Sequence, residues 1–238
     1  MTEVATLWSY LAAAPLTWLT VTFVAYLGAA TVSQALRQTP LANPVLLSVV
    51  AVALVLTLTG TDYATYFEGA QFIHFLLGPA TVALAVPLMD TRATMRRVAV
   101  PIALALVAGS FVAAVSAILL AQAFGLPDAV ILSLSPKSTT APVALGISEA
   151  VGGIPTLTAV LVILTGIIGA IVVTPMMTLL RVRDWRARGF AAGVAAHGIG
   201  TARAFQVNET AGAFAGIGMA LNALLTSIIV PVLVYWLM

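Results

Sequence analysis

Long, uninterrupted apolar runs constrain this chain of 238 residues more than any other feature. A helix of about 20 apolar residues crosses the roughly 30 Å hydrocarbon core of a bilayer. Only 8% of the residues are charged, whereas a soluble domain carries about 25%. So few charges cannot cover a water-facing surface of this size. The composition therefore excludes a soluble enzyme, a disordered protein and a nucleic-acid-binding protein.

The runs are continuous, without the apolar–polar alternation of a membrane β-barrel, so they indicate helices. We predict an all-α, polytopic membrane helix bundle of about seven to eight hydrophobic segments, forming a single integral membrane domain over residues 1–238. The segments are Leu16–Leu36, Pro44–Thr59, Phe72–Met89, Val98–Phe124, Ala129–Val151, Leu157–Leu180, Phe190–Phe205 and Ala211–Leu237.

Most of the basic residues lie in two short connections, one after Phe72–Met89 and one after Leu157–Leu180. These residues are Arg92, Arg96 and Arg97, and then Arg181, Arg183, Arg186 and Arg188. The positive-inside rule places both connections in the cytoplasm. A single crossing by Ala129–Val151 would break this parity, so we expect that segment to enter from the outside and return. Phe190–Phe205 is predicted to be a matching broken segment from the inside.

Two interruptions support broken helices. The polar run Ser135–Thr140 divides Ala129–Val151, and Gly78–Pro79 interrupts Phe72–Met89. A weak similarity between Leu77–Thr81 and Leu134–Pro136 suggests inverted repeats, which are common in transporters with discontinuous helices. Chance similarity in an alanine-, valine- and leucine-rich chain explains this resemblance equally well.

The interruption in Ala129–Val151 carries Lys137, the only lysine of the chain, among the hydroxyls of Ser135, Ser138, Thr139 and Thr140. The start of the following helix offers free N–H groups, and together with the ammonium group they favour an anion. We predict a substrate site here. The alternative is a polar break at the membrane surface, where Lys137 extends to the lipid headgroups.

A second cluster lies in Phe190–Phe205, where His197, Thr201 and Arg203 occur among small residues. Arg203 is suited to bidentate binding of a carboxylate. Histidine side chains can exchange a proton near neutral pH, so His197, with Glu149, is a candidate for carrying a coupling proton. The alternative is structural, with Arg203 paired to Glu149 or Glu209.

Asn222 is the one strongly polar side chain in the last segment, and it is either a substrate ligand or a hydrogen-bonding contact between helices. The chain has no cysteine and no metal-ligand spacing, nucleophile elbow or phosphate loop. We therefore expect no catalytic residue, cofactor or metal site, and no enzymatic activity.

Four motifs in order give the chain its family resemblance: Leu77–Pro87, Leu134–Glu149, Ala196–Ala204 and Gly212–Asn222. With them the sequence resembles the LrgB/CidB family. The resemblance implies a multi-pass protein of the bacterial cytoplasmic membrane. The family was named for holin/antiholin-like proteins that affect murein hydrolase activity and lysis with a small LrgA/CidA-type membrane partner. Related proteins include the plastid glycolate/glycerate translocator.

The polar interruptions predict a transporter of small carboxylates, and the resemblance implies monocarboxylates such as pyruvate, glycolate or glycerate. Lys137 and Arg203 would neutralise the carboxylate where the two interruptions meet. The alternative function is the holin/antiholin-like control of lysis. The many glycines of the last two segments predict close helix contacts and a homodimer.

Overall fold

The computed structural model describes residues 14–83 and 97–238. Within these ranges all regular structure is helical, with nine α-helices and one short 3-10 helix. The chain divides into two compact units, Met1–Val82 and Ala83–Met238. An all-helical fold is confirmed for the described residues.

The first unit contains α1 (Pro15–Ala35), the 3-10 helix Pro40–Ala42, α2 (Pro44–Thr59) and nearly all of α3 (Tyr63–Ala83). Asn43 starts α2 because its side-chain oxygen accepts a hydrogen bond from the Val45 amide at 2.8 Å, the usual role of an N-cap asparagine. Gly60 ends α2 in the left-handed conformation, with a φ of 66°.

The interruption predicted at Gly78–Pro79 is wrong, since α3 continues through both residues. A proline inside a helix removes one backbone hydrogen bond and bends the helix without necessarily ending it. The rest of that predicted segment, to Met89, lies outside the described residues, as do Arg92 and Arg96.

The second unit contains six helices in sequence. They are α4 (Ala99–Ala123), α5 (Asp128–Leu134), α6 (Ala141–Val151), α7 (Pro155–Leu179), α8 (Trp185–Val207) and α9 (Glu209–Leu237). Four described helices, α1, α4, α7 and α9, are long and apolar enough to cross a membrane. The total of seven to eight segments stays a prediction.

Helices α5 and α6 fold into a helical hairpin, here called hairpin 1 (Asp128–Val151). The chain reverses at the predicted interruption, Ser135–Thr140, which lies between the two helices. The residues that follow α6 lie against α5. A Cβ at Gly153 would lie 2.5 Å from Ser148 Oγ and 3.0 Å from the Ser133 amide nitrogen. Ser133 is in the last turn of α5, so the chain that leaves hairpin 1 runs back alongside α5.

Helix α8 also folds back on itself, forming hairpin 2 (Trp185–Val207). Ala196 and His197 have non-helical backbone angles, with a φ of 40° at His197. A Cβ on Gly200 would lie 2.6 Å from the carbonyl oxygen of Ala192. These residues would be about 12 Å apart along a straight helix, at 1.5 Å per residue. Residues 185–195 and 198–207 are thus two arms joined by a sharp turn.

The first arm of hairpin 2 packs against α9 at backbone distance. A Cβ on Gly189 would overlap the carbonyl oxygen of Ala211, and one on Gly193 would overlap that of Ala215. Only glycine permits such an approach, as in other close contacts between membrane helices. The predicted close packing of the last two segments is present within the subunit.

The two hairpins start from opposite ends of α7. The base of hairpin 1 adjoins the N-terminus of α7, where the Ile154 amide donates to Ser133 Oγ at 2.7 Å. The base of hairpin 2 follows the C-terminus of α7, where Arg188 donates to the carbonyl oxygen of Thr174 at 3.0 Å. This opposed arrangement is the one that the arginine pattern predicts, while re-entry into a membrane stays a prediction.

Candidate functional site

Both hairpins bind one side chain, Asn222, hairpin 1 through its turn and hairpin 2 through the end of its first arm. Its amide nitrogen donates to the carbonyl oxygens of Ser138 at 3.1 Å and Val194 at 3.2 Å. Its amide oxygen accepts from Ser110 Oγ at 2.6 Å and Thr226 Oγ1 at 3.2 Å. Asn222 is fully buried and uses both of its donors and both acceptor positions. It therefore joins α4, hairpin 1, hairpin 2 and α9.

This junction lies halfway along the long helices. Ser110 is near the middle of α4 (Ala99–Ala123), and Asn222 is near the middle of α9 (Glu209–Leu237). If these helices cross the membrane, the turns of both hairpins lie near the bilayer midplane. Irregular backbone at that depth survives only when protein or a water-filled cavity surrounds it.

The turn of hairpin 1 is polar and incompletely hydrogen-bonded. The hydroxyl oxygens of Thr139 and Thr140 are buried without a hydrogen-bond partner. Lys137 is half-buried and makes no ion pair with any residue in the described parts of the chain. Buried polar groups in proteins are normally satisfied, so two unpartnered hydroxyls beside a lysine make this turn the candidate site for a polar ligand.

The N-terminus of α6 lies at the same turn. Thr140 is its N-cap residue, but its side chain makes no capping hydrogen bond. The first amide groups of a helix carry partial positive charge and lack intrahelical partners. With the ammonium group of Lys137 nearby in sequence, this helix start favours an anion such as a carboxylate.

The turn of hairpin 2 is fixed by His197. Its Nε2 atom lies 2.9 Å from the carbonyl oxygen of Val162 on α7, and its own carbonyl oxygen accepts from Thr201 Oγ1 at 2.8 Å. A Cβ at Gly166 would lie 2.6 Å from the imidazole ring, so a larger residue there would displace the ring. His197 and Thr201 are thus both part of a packed turn, and their role as substrate ligands stays a prediction.

The predicted carboxylate-binding and proton-carrying residues lie further from the junction along the chain. Arg203 is on the second arm of hairpin 2, where it is buried and donates to Gln206 Oε1 at 3.2 Å. Glu149 is exposed near the end of α6, and Glu209 is exposed at the start of α9. The described residues contain no group of three histidine, cysteine, aspartate or glutamate side chains placed to hold a metal ion.

Sequence reasoning missed the hydroxyl cluster at the base of hairpin 1. Thr158 Oγ1 of α7 lies 2.7 Å from Ser148 Oγ and 3.0 Å from the carbonyl oxygen of Ser133. All three residues are fully buried. Isolated hydroxyl residues in apolar segments were the available signal, since such side chains hydrogen-bond across membrane helices.

Comparison with known proteins assigns the family. The profile described as the LrgB-like family matches residues 22–236. The chain belongs to the LrgB-like family. No solved structure matches it.

Three relatives cover most of the chain. The "Uncharacterized protein YwbG" of Bacillus subtilis is 35% identical over 89% of this chain and 94% of its own length. The "Uncharacterized protein YxaC" of the same organism is 36% identical over 83% and 86%. The "Holin-like protein CidB" of Staphylococcus epidermidis is 33% identical over 82% and 85%. These matches confirm the resemblance and identify a membrane protein of a family with holin-like members.

Proposed function

We propose that this protein transports small monocarboxylates across the bacterial cytoplasmic membrane. The observation that carries the proposal is the junction at Asn222, where the carbonyl oxygens of Ser138 and Val194, one from each broken segment, bind the same amide. Discontinuous helices that meet near the midplane are the usual substrate sites of secondary transporters. Small carboxylates such as pyruvate, glycolate and glycerate suit a site of this kind.

The chemistry of the hairpin 1 turn favours a carboxylate over a cation. Lys137 supplies the positive charge, and the uncapped start of α6 supplies amide donors. The unpartnered hydroxyls of Thr139 and Thr140 can donate to a carboxylate oxygen or to a neighbouring hydroxyl or keto group. Ser135, Ser138 and Asn222 shape this turn, and Ser138 and Asn222 do so by bonding to each other.

The second cluster supports a division of roles. The contact of His197 with Val162 suits a residue that positions the hairpin 2 turn. Arg203 is buried on the adjoining arm and adds positive charge, while Thr201 binds the backbone of the turn. His197 and Glu149 remain the candidates for proton coupling, and the exposure of Glu149 suits proton exchange with water.

Uptake of labelled pyruvate and glycolate into proteoliposomes tests the proposal. We expect uptake above that of protein-free liposomes, saturable and inhibited by the other carboxylate. Lys137→Ala should weaken substrate binding by about 10- to 150-fold, since one charge-assisted contact contributes roughly 1.5–3 kcal/mol. Lys137→Arg should retain part of it, and Arg37→Ala, an exposed change in the first unit, should have no effect. Wild-type uptake equal to that of empty liposomes would overturn the proposal.

The holin-like name of CidB favours a second function, the control of lysis through a pore or a small LrgA/CidA-type partner. A pore releases solutes irrespective of their chemistry. Release of trapped calcein from the same proteoliposomes, with no selective carboxylate uptake, would favour this alternative. A homodimer fits either function, and the particle mass in lipid nanodiscs tests it.

A further inference from the structure

The structure has a cleft at the base of hairpin 2, remote in sequence from the Lys137 turn. It lies between the C-terminal end of α7, both arms of hairpin 2 and the first turn of α9. Its walls include Thr174, Met177, Trp185, Arg188, Val207 and Ala211. Because α7 and α9 are both long enough to cross a membrane, their ends at this cleft lie at the boundary between hydrocarbon and water.

The cleft combines an apolar floor with a fixed cation. The Arg188 guanidinium lies 4.8 Å from the centroid of the Trp185 ring, within the range of a cation–π contact. One of its nitrogens also donates to the Thr174 carbonyl oxygen at 3.0 Å and to Thr178 Oγ1 at 2.8 Å. Tryptophan and arginine together are typical of helix ends at the headgroup level.

The segment that borders the cleft is strongly basic. Residues 181–188 contain four arginines and one aspartate, a net charge of +3. Asp184 binds Arg186, with Nη2 and Oδ2 2.6 Å apart, and the hydrogen bond from the Arg186 side chain lowers the pKa of the Asp184 carboxyl. This pair is neutral overall, which leaves the charges of Arg181, Arg183 and Arg188 uncompensated by acidic residues of the segment.

We propose that an anionic phospholipid binds beside this cleft, with the phosphate held by Arg181, Arg183 and Arg188 and an acyl chain against the exposed apolar side chains at the end of α7, which are Met176, Leu179 and Leu180. Arginine binds phosphate oxygens in bidentate geometry, and basic pockets between membrane helices bind acidic lipid headgroups. The lipid joins α7, hairpin 2 and α9 at one point and stabilises the base of hairpin 2. This inference does not depend on the transported substrate.

A lipid titration of the full-length protein in mild detergent tests the inference. Short-chain phosphatidylglycerol should raise the melting temperature, and short-chain phosphatidylcholine should not. The double variant Arg181→Gln/Arg183→Gln should melt like the wild type without lipid, yet need about 25-fold more phosphatidylglycerol for half the shift, at roughly five-fold per arginine. Arg37→Gln, at an exposed arginine outside this unit, should titrate like the wild type.

Three outcomes would overturn the inference. Equal shifts with both lipids would mean that headgroup charge is not recognised. Equal weakening by Arg37→Gln would mean general charge attraction without a specific cleft. The full shift with inorganic phosphate alone would identify a site for free phosphate instead of a lipid. If Arg181→Gln/Arg183→Gln fails to fold, Trp185→Ala, which removes one wall, should produce the same loss of lipid response.

Discussion

The two hairpins of the second unit reach the same asparagine by different physical means. Two groups of polar contacts hold hairpin 1. Ser133, Ser148 and Thr158 form a hydroxyl cluster at its base, and Asn222 donates a hydrogen bond to the Ser138 carbonyl oxygen at its turn. Hairpin 2 is held by backbone contacts of Gly189 and Gly193 with α9. Hairpin 1 therefore has buried hydroxyls at its turn without hydrogen-bond partners, whereas the first arm of hairpin 2 packs against α9 at backbone distance.

The turns differ in the same way. In the turn of hairpin 1, the buried hydroxyls of Thr139 and Thr140 have no hydrogen-bond partner. That of hairpin 2 is a strained backbone with a histidine at positive φ, held by the contact with Val162. In the proposed transporter, the polar turn would bind substrate and the rigid turn would form the opposite wall.

The most damaging single change should be a methyl group on hairpin 2. Gly193→Ala places a Cβ against the Ala215 carbonyl oxygen, so α8 must move away from α9. We expect a loss of about 3 kcal/mol or more of folding stability, seen as little monodisperse protein in size-exclusion chromatography. Gly146→Ala on hairpin 1, where a Cβ meets nothing within 4 Å, should fold normally. If both alanine variants were as stable as the wild type, hairpin 2 would not depend on close backbone packing more than hairpin 1 does.

Loss of the shared asparagine should affect both hairpins. Asn222→Leu leaves the carbonyl oxygens of Ser138 and Val194 without this donor, at a cost of about 2–4 kcal/mol in total. The control Ser227→Ala removes an exposed hydroxyl of the same helix that binds only the carbonyl of Leu224. Thermal unfolding should show a large drop for the first variant and almost none for the second. Similar melting temperatures would contradict a central role for Asn222.

Two threonine-to-valine changes separate ligand-binding hydroxyls from structural ones. Thr139→Val removes an unpartnered hydroxyl, so folding stability should stay equal or rise by up to about 1 kcal/mol while carboxylate uptake falls. Thr158→Val removes a hydroxyl that contacts Ser148 and Ser133 and should lower stability by about 1–3 kcal/mol. Unchanged uptake in Thr139→Val would argue against a role for this hydroxyl in substrate binding.

The smallest expected effect concerns the strained turn. His197→Gly and His197→Ala both lose the contact with Val162, but glycine adopts a positive φ more readily than alanine. The glycine variant should therefore be more stable by about 1 kcal/mol, measured by chemical denaturation of the two variants side by side. Equal stabilities would mean that the backbone at His197 relaxes once the imidazole is removed.

The sequence predicted the parts of this fold that depend on hydropathy and charge counting. The interruption at Ser135–Thr140 followed from its polar residues, and the opposed hairpins followed from the two arginine clusters. The Gly78–Pro79 interruption was wrong because a proline alone does not end a helix when the surrounding residues favour one.

Other features of the site depend on tertiary contacts that a sequence pattern does not contain. Nothing local to Asn222 indicates that four elements bind it. The reversal at Ala196–His197 was expected only as a broken segment, since its sharpness depends on the packing of Gly200 near Ala192 and Gly166 near His197. Local glycine content signals close approach but not its partner.

The side of the membrane on which each hairpin begins tests the opposed arrangement most directly. The chain has no cysteine, so single cysteines at the exposed positions Asp128 and Arg183 can be labelled with an impermeant maleimide in right-side-out and inverted vesicles. Opposed hairpins require position 128 to react from the outside and position 183 from the cytoplasmic side. Labelling of both positions from one side would contradict hairpins that enter from opposite faces and meet at Asn222.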